Sequence, residues 1–117
     1  MILRFDYGTP LPTEALVKEV PLSADVLPHF AVSKSEKGIT FTRKLGKEDL
    51  IFGLGETVRG INKRGHIYRS WNSDEFAHHE DKQSLYASHN LLIFADGPKA
   101  FGLFFDDPGE VIFDLGY

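Results

Sequence analysis

Residues 51–74 read I-F-G-L-G-E-T-V-R-G-I-N-K-R-G-H-I-Y-R-S-W-N-S-D, and the fold of the chain turns on how this stretch is read. It opens on an apolar run interrupted by Gly53 and Gly55. A dinucleotide-binding turn of the form G-x-G-x-x-G would need glycine at position 58, where Val58 stands, and an apolar helix behind it, which the sequence does not supply. The reading that remains is a strand whose glycines let the backbone bend and come close to a neighbour. Gly65 to Trp71 forms a second strand. Between the two, Asn62-Lys63-Arg64-Gly65 is a basic turn, which on an acidic protein reads as a solvated hairpin tip rather than a phosphate grip. Glu56 is read as a structural carboxylate holding Arg59, Lys63 or Arg64, and not as a catalytic one.

Outward from this stretch the same grammar continues. Phe30 to Lys34 and Ile39 to Leu45 flank Ser35-Glu36-Lys37-Gly38, and Ile39, Phe41 and Leu45 alternate with Thr40, Thr42 and Lys44, which predicts a hairpin. Asp49 to Gly53, Leu91 to Ala95, Ala100 to Asp106 and Val111 to Leu115 add strands, punctuated by Asp96-Gly97-Pro98 and Asp107-Pro108-Gly109. Met1 to Tyr7 is predicted as a strand closed by the prolines of Gly8 to Pro12. Thr13 to Val20 fits a helical stripe and an alternating strand alike, with the strand favoured. Short, evenly spaced strands with such turns predict an all-β, antiparallel β-sandwich, one domain spanning residues 1–117.

Composition narrows the function classes. The 117 residues are too few for a (β/α)8 barrel of roughly 250 residues. A balance of 13 basic against 17 acidic residues, net −4, with no long basic run, predicts no nucleic-acid partner. Apolar runs stay strand-sized, so no membrane span is expected. The absence of cysteine excludes disulfides and thiolate metal sites, and with no apolar leader at the N-terminus a soluble, cytoplasmic protein is expected.

Two segments carry residues suited to chemistry. His78-His79-Glu80-Asp81 has metal-type ligands, but neighbours on an extended loop point apart and no second pair stands at i, i+4, so no metal is expected. His29, His66 and His89 are single and imply no catalytic set. Trp71-Asn72-Ser73-Asp74 has two readings. An aromatic face for the apolar side of a sugar ring stands beside amide and carboxylate groups for its hydroxyls; equally, an Asx-type turn could end the strand with Trp71 in the core. This segment opens Asn72 to Gln83, the one long polar insertion, of the kind that carries binding residues.

Residues 51–74, with Ser84-Leu85-Tyr86-Ala87-Ser88-His89-Asn90, Phe101-Gly102-Leu103-Phe104-Phe105-Asp106-Asp107-Pro108 and Phe113-Asp114-Leu115-Gly116, resemble in order and spacing the glycoside hydrolase family 31 α-glucosidases. The resemblance covers most of residues 50–117. It implies the galactose-mutarotase-like β-sandwich (supersandwich) that precedes the catalytic barrel in that family, here expected to be incomplete. By position it implies that Asp74 contacts the sugar on its leaving-group side, supported by Asn72, Ser73 and Trp71. No catalytic residue is expected in the chain. A retaining glycosidase needs two carboxyls about 5 Å apart; the family draws both from the barrel, the nucleophile from a W-x-D-M-N-E type segment that is not present here. The implied function is the N-terminal domain of a retaining α-glucosidase, without cofactor, acting on α-glucosides through the whole enzyme. The alternatives are a free-standing sugar-binding module using Trp71, Tyr68 and Tyr86, and a purely structural sandwich. Strands apolar at nearly every position, such as Leu91 to Ala95, also predict self-association as a homo-oligomer.

Overall fold

Alternating apolar and polar positions with glycine, proline and aspartate between them give nine strands and no helix in the computed structural model, which describes residues 2–6, 9–10, 12–21 and 29–117. In chain order they are β1 (Leu3–Arg4), β2 (Lys18–Glu19), β3 (Phe30–Ser35), β4 (Gly38–Arg43), β5 (Leu50–Gly55), β6 (Ile67–Ser70), β7 (Ser88–Asp96), β8 (Lys99–Phe104) and β9 (Val111–Asp114). The chain divides into two compact units, Met1–Lys44 and Leu45–Tyr117.

In the first unit β1 and β2 pair in parallel, Lys18 N donating to Ile2 O and Val20 N to Arg4 O, both at 3.0 Å. This short pair is the one parallel pairing among the described strands; the others are antiparallel, as the sequence predicts. The segment between the two strands is about the dozen residues that a parallel crossover requires. Met1, Tyr7, Gly8 and Leu11 of the predicted first strand and turn lie outside the described residues. The predicted hairpin forms as β3 and β4, in register from Phe30↔Arg43 to Ser35↔Gly38, around the two residues Glu36 and Lys37. Gly38, at φ +136°, takes the backbone conformation that this turn demands.

The second unit is built from the antiparallel sheet β5-β7-β8 and the antiparallel pair β6-β9. One face of each supplies the core: Ile51 and Leu54 of β5, Leu92 and Phe94 of β7, Tyr68 of β6, Phe113 of β9, and Leu115. Phe94 stacks on Phe101 at 5.2 Å, and Phe105 meets Phe113 edge-on at 5.7 Å. The opposite face of the three-stranded sheet is apolar too, yet Leu50, Leu91, Ile93 and Phe104 are exposed there. Leu91 to Ala95 is therefore buried on one face and open on the other.

The glycines of β5 behave as the sequence implies. Gly53, Leu54 and Gly55 all have positive φ, and the register with β7 shifts between Gly53 and Gly55, forming a bulge. A Cβ on Gly53 would collide with the carbonyl of Leu91, and one on Gly55 with that of Ala87. The bulge turns Leu54 into the core even though its own φ of 69° is unfavourable for a residue with a side chain.

Candidate functional site

The polar residues that follow β5 serve two different ends. Asn62 Oδ1 accepts from Ile51 N at 3.2 Å and Arg64 N at 3.3 Å, while Lys63 N donates to Ile51 O at 2.7 Å. Gly65 N donates to Leu115 O at 2.9 Å, which carries the chain from the edge of β5 to the end of β9. The basic turn is thus bonded to both sheets and is no solvated tip. Lys63, 6% exposed, donates through Nζ to Thr57 Oγ1, Gly60 O and, at 3.4 Å, Arg59 O, with the Tyr68 ring 5.9 Å away. Burial pushes its ammonium below the ordinary lysine value. Arg64 donates to the carbonyls of Gly46, Lys47 and Asp49.

Glu56 is structural, but its partner is not a cation. Its Oε2 accepts from Ala87 N at 3.0 Å and its own N–H donates to Ala87 O at 2.8 Å, tying the strand end to residues just before β7. Sequence could not reveal this, because the partner is backbone and stands 31 residues away.

The insertion after β6 is fastened at both ends and in its middle. Asn72 Oδ1 accepts from Ser88 N at 2.7 Å, Ser73 N donates to Leu85 O at 3.4 Å, and Arg69 N donates to Gln83 O at 3.0 Å. Arg59 bridges the insertion and β6, donating through Nε to Glu80 O at 2.8 Å and through Nη1 to Ile67 O at 2.9 Å. Its guanidinium lies 5.3 Å from the centre of the Tyr68 ring. Burial pushes the Tyr68 phenol up, the Arg59 charge partly offsetting it; Tyr68 Oη itself meets no partner of hydrogen-bond geometry. Within the insertion Lys82 Nζ pairs with Glu75 Oε2 at 2.6 Å, and this hydrogen bond, ahead of the charges of Lys82 and His78, holds the Glu75 carboxyl below its usual range. Ser73 adds weakly to the same effect, although its buried Oγ falls short of hydrogen-bond geometry.

The four predicted substrate residues meet different fates. Trp71 is 48% exposed, so the reading that puts it in the core is corrected. The Arg69 guanidinium, itself paired with Glu110 at 2.6 Å, lies 5.5 Å from the centre of its ring. Asn72 is committed through Oδ1 to Ser88, and Ser73 faces inward. Asp74 is exposed and makes no hydrogen bond or ion pair with any described residue. His78 Nε2 contacts Glu75 O at 3.1 Å and its ring meets Tyr86 edge-on at 5.6 Å. Among the described residues no three His, Asp or Glu side chains gather as metal ligands, and no helix is long and apolar enough to cross a membrane.

Residues 3–114 match the family model described as the glycosyl hydrolase 31 N-terminal galactose mutarotase-like domain. The chain belongs to this family. The nine described strands agree with its β-sandwich. The chain is 30% identical over 93 residues to an alpha-glucosidase 2 of Bacillus thermoamyloliquefaciens, covering 72% of this chain. It is 29% identical over 118 residues to an alpha-glucosidase of Saccharolobus solfataricus, covering 93% of this chain. These matches span 12% and 16% of those relatives, so the chain corresponds to a small part of each enzyme's length.

Proposed function

We propose that this domain is the N-terminal part of a retaining α-glucosidase that releases terminal α-linked glucose, and that residues 72–83 reach the substrate. The observation that supports this reading is Asp74, an exposed carboxylate without a partner among the described residues, which directly follows Asn72 and Ser73, bonded to Ser88 and Leu85; Glu75 is paired with Lys82, while Glu80 and Asp81 further along the segment are exposed like Asp74. A carboxylate so placed accepts hydrogen bonds from two sugar hydroxyls without first giving up a protein contact. Asn72 and Ser73 fix the backbone on its N-terminal side. The acid and the nucleophile of the double displacement come from outside these residues. The cysteine-free sequence supports a cytoplasmic location.

The free-standing sugar-binding reading loses part of its platform, because Tyr68 is 1% exposed and belongs to the core. Titration of the chain alone with glucose and α-linked disaccharides separates the two readings. The proposed function predicts negligible affinity and no hydrolysis of an aryl α-glucoside; micromolar sugar binding would favour the module, and turnover lost on changing Asp74 would overturn the proposal.

A further inference from the structure

The insertion is hydrogen-bonded to the rest of its unit at both ends. Near its start Asn72 Oδ1 accepts from Ser88 N and Ser73 N donates to Leu85 O; at its end Gln83 O accepts from Arg69 N. Between these points Glu75 pairs with Lys82, and Lys82 N donates to His79 O at 3.0 Å, so residues 75–82 hold together as one piece. A piece tied only at its ends can swing about the line that joins them. A third attachment removes that freedom, and Arg59 supplies it, donating through Nε to Glu80 O at 2.8 Å. Among the described residues Arg59 is the one side chain from outside the insertion that donates a hydrogen bond to it. Arg59 is itself held from the core. Its Nη1 bonds to Ile67 O of β6, its guanidinium lies over the buried Tyr68 ring, and the carbonyls of Arg59 and Gly60 accept from the buried Lys63. The planar fork of a guanidinium reaches two carbonyls at once in a fixed geometry, which the compact charge of a lysine does not.

We infer that Arg59 is a positioning residue, which fixes the insertion against β6 and thereby the direction in which Asp74 points. The inference rests on the proposal that Asp74 reaches the substrate. Arg59 touches no reacting group and acts through residues 72–83. Asp74 has no side-chain bond to a described residue that could aim it, so its direction is set by the backbone on which it stands. That backbone is only as well placed as the attachments of the insertion. A hydrogen bond to a sugar hydroxyl weakens steeply when its angle is lost, so a carboxylate on a swinging segment contributes little to holding a substrate.

The test uses the full-length enzyme, amide hydrogen exchange and an α-linked glucose disaccharide. Arg59→Met keeps most of the side chain's length and removes the fork. It is expected to speed exchange at the hydrogen-bonded amides of Ser73 and Lys82 by about tenfold, the worth of one bond from a charged donor, while the amides of β7 and β8 keep their protection. It should also lower kcat/KM for the disaccharide by about three- to tenfold. In an Asp74→Ala background the same change should cost less than about twofold more, since no carboxylate is left to aim. An arginine that only stabilises the fold would let the two losses multiply. Unchanged exchange in the insertion, exchange that rises equally in β7 and β8, losses that multiply, or an unchanged kcat/KM where Asp74→Ala lowers it would each overturn the inference. A harmless Asp74→Ala with faster exchange at Lys82 in Arg59→Met refutes the reading of Asp74 and upholds Arg59 as what holds the insertion. A damaging Asp74→Ala with unchanged exchange in Arg59→Met refutes only the role of Arg59.

Discussion

The turn at residues 62–65 and the insertion at residues 72–83 look alike in sequence, each a run of charged residues between strands, and the structure uses them in opposite ways. The turn spends its cations inward. Lys63 and Arg64 between them serve six acceptors, five of them backbone carbonyls of residues 46–49 and 59–60 on either side of β5. The insertion is held by Asn72, Arg59 and bonds to Arg69 and Leu85, and leaves the carboxylates of Asp74, Glu80 and Asp81 to solvent. Charge alone does not mark a ligand site.

The contrast can be broken at its strongest point by Lys63→Met. If Lys63 is structural, the change strands the Gly60 carbonyl and Thr57 Oγ1 and should destabilise the domain by about 2 to 3 kcal/mol, read as a shift in the urea midpoint at constant slope. An unshifted midpoint would mean that water reaches those groups and that the turn is a solvated tip after all.

A smaller effect is expected at Glu75. Its carboxyl is held below the ordinary value of 4.5, chiefly by Lys82. A carboxyl depressed in the folded state contributes stability above its unfolded value and loses it as pH falls through the lower folded one. Glu75→Gln should therefore flatten the decline in thermal stability below about pH 4.5 and lower stability slightly at neutral pH. Matching acid-side curves for the two proteins would show that the pair does not hold the insertion.

Much of the fold was legible because its signals are local. The alternation of Ile39, Phe41 and Leu45, the turn glycine at 38 and the Gly-Pro pair at 97–98 each place a strand or a turn without reference to distant residues. The close approach at Gly53 was legible for the same reason. Glu56 is structural as read, but its partner is Ala87 backbone rather than a cation, and the solvated-tip reading of Lys63 failed because most of its partners are backbone carbonyls, which carry no mark in the sequence. The parallel pairing of β1 with β2 is likewise a matter of crossover and not of residue type. At the candidate site, the position of Asp74 could be read from the family resemblance, but its freedom could not. Which of the polar residues Asn72 to Glu75 turn inward could not be read from composition.

The most direct test of the account is Asp74→Ala, measured for stability and for catalysis. Because Asp74 is exposed and makes no hydrogen bond or ion pair with a described residue, the urea midpoint of the domain should correspond to a change within about 0.5 kcal/mol. In the full-length enzyme kcat/KM for an α-linked glucose disaccharide should fall by about tenfold to a hundredfold, the cost of losing hydrogen bonds to a charged group. A kcat/KM that does not change would contradict the central claim and leave Asp74 as a turn residue of a purely structural sandwich.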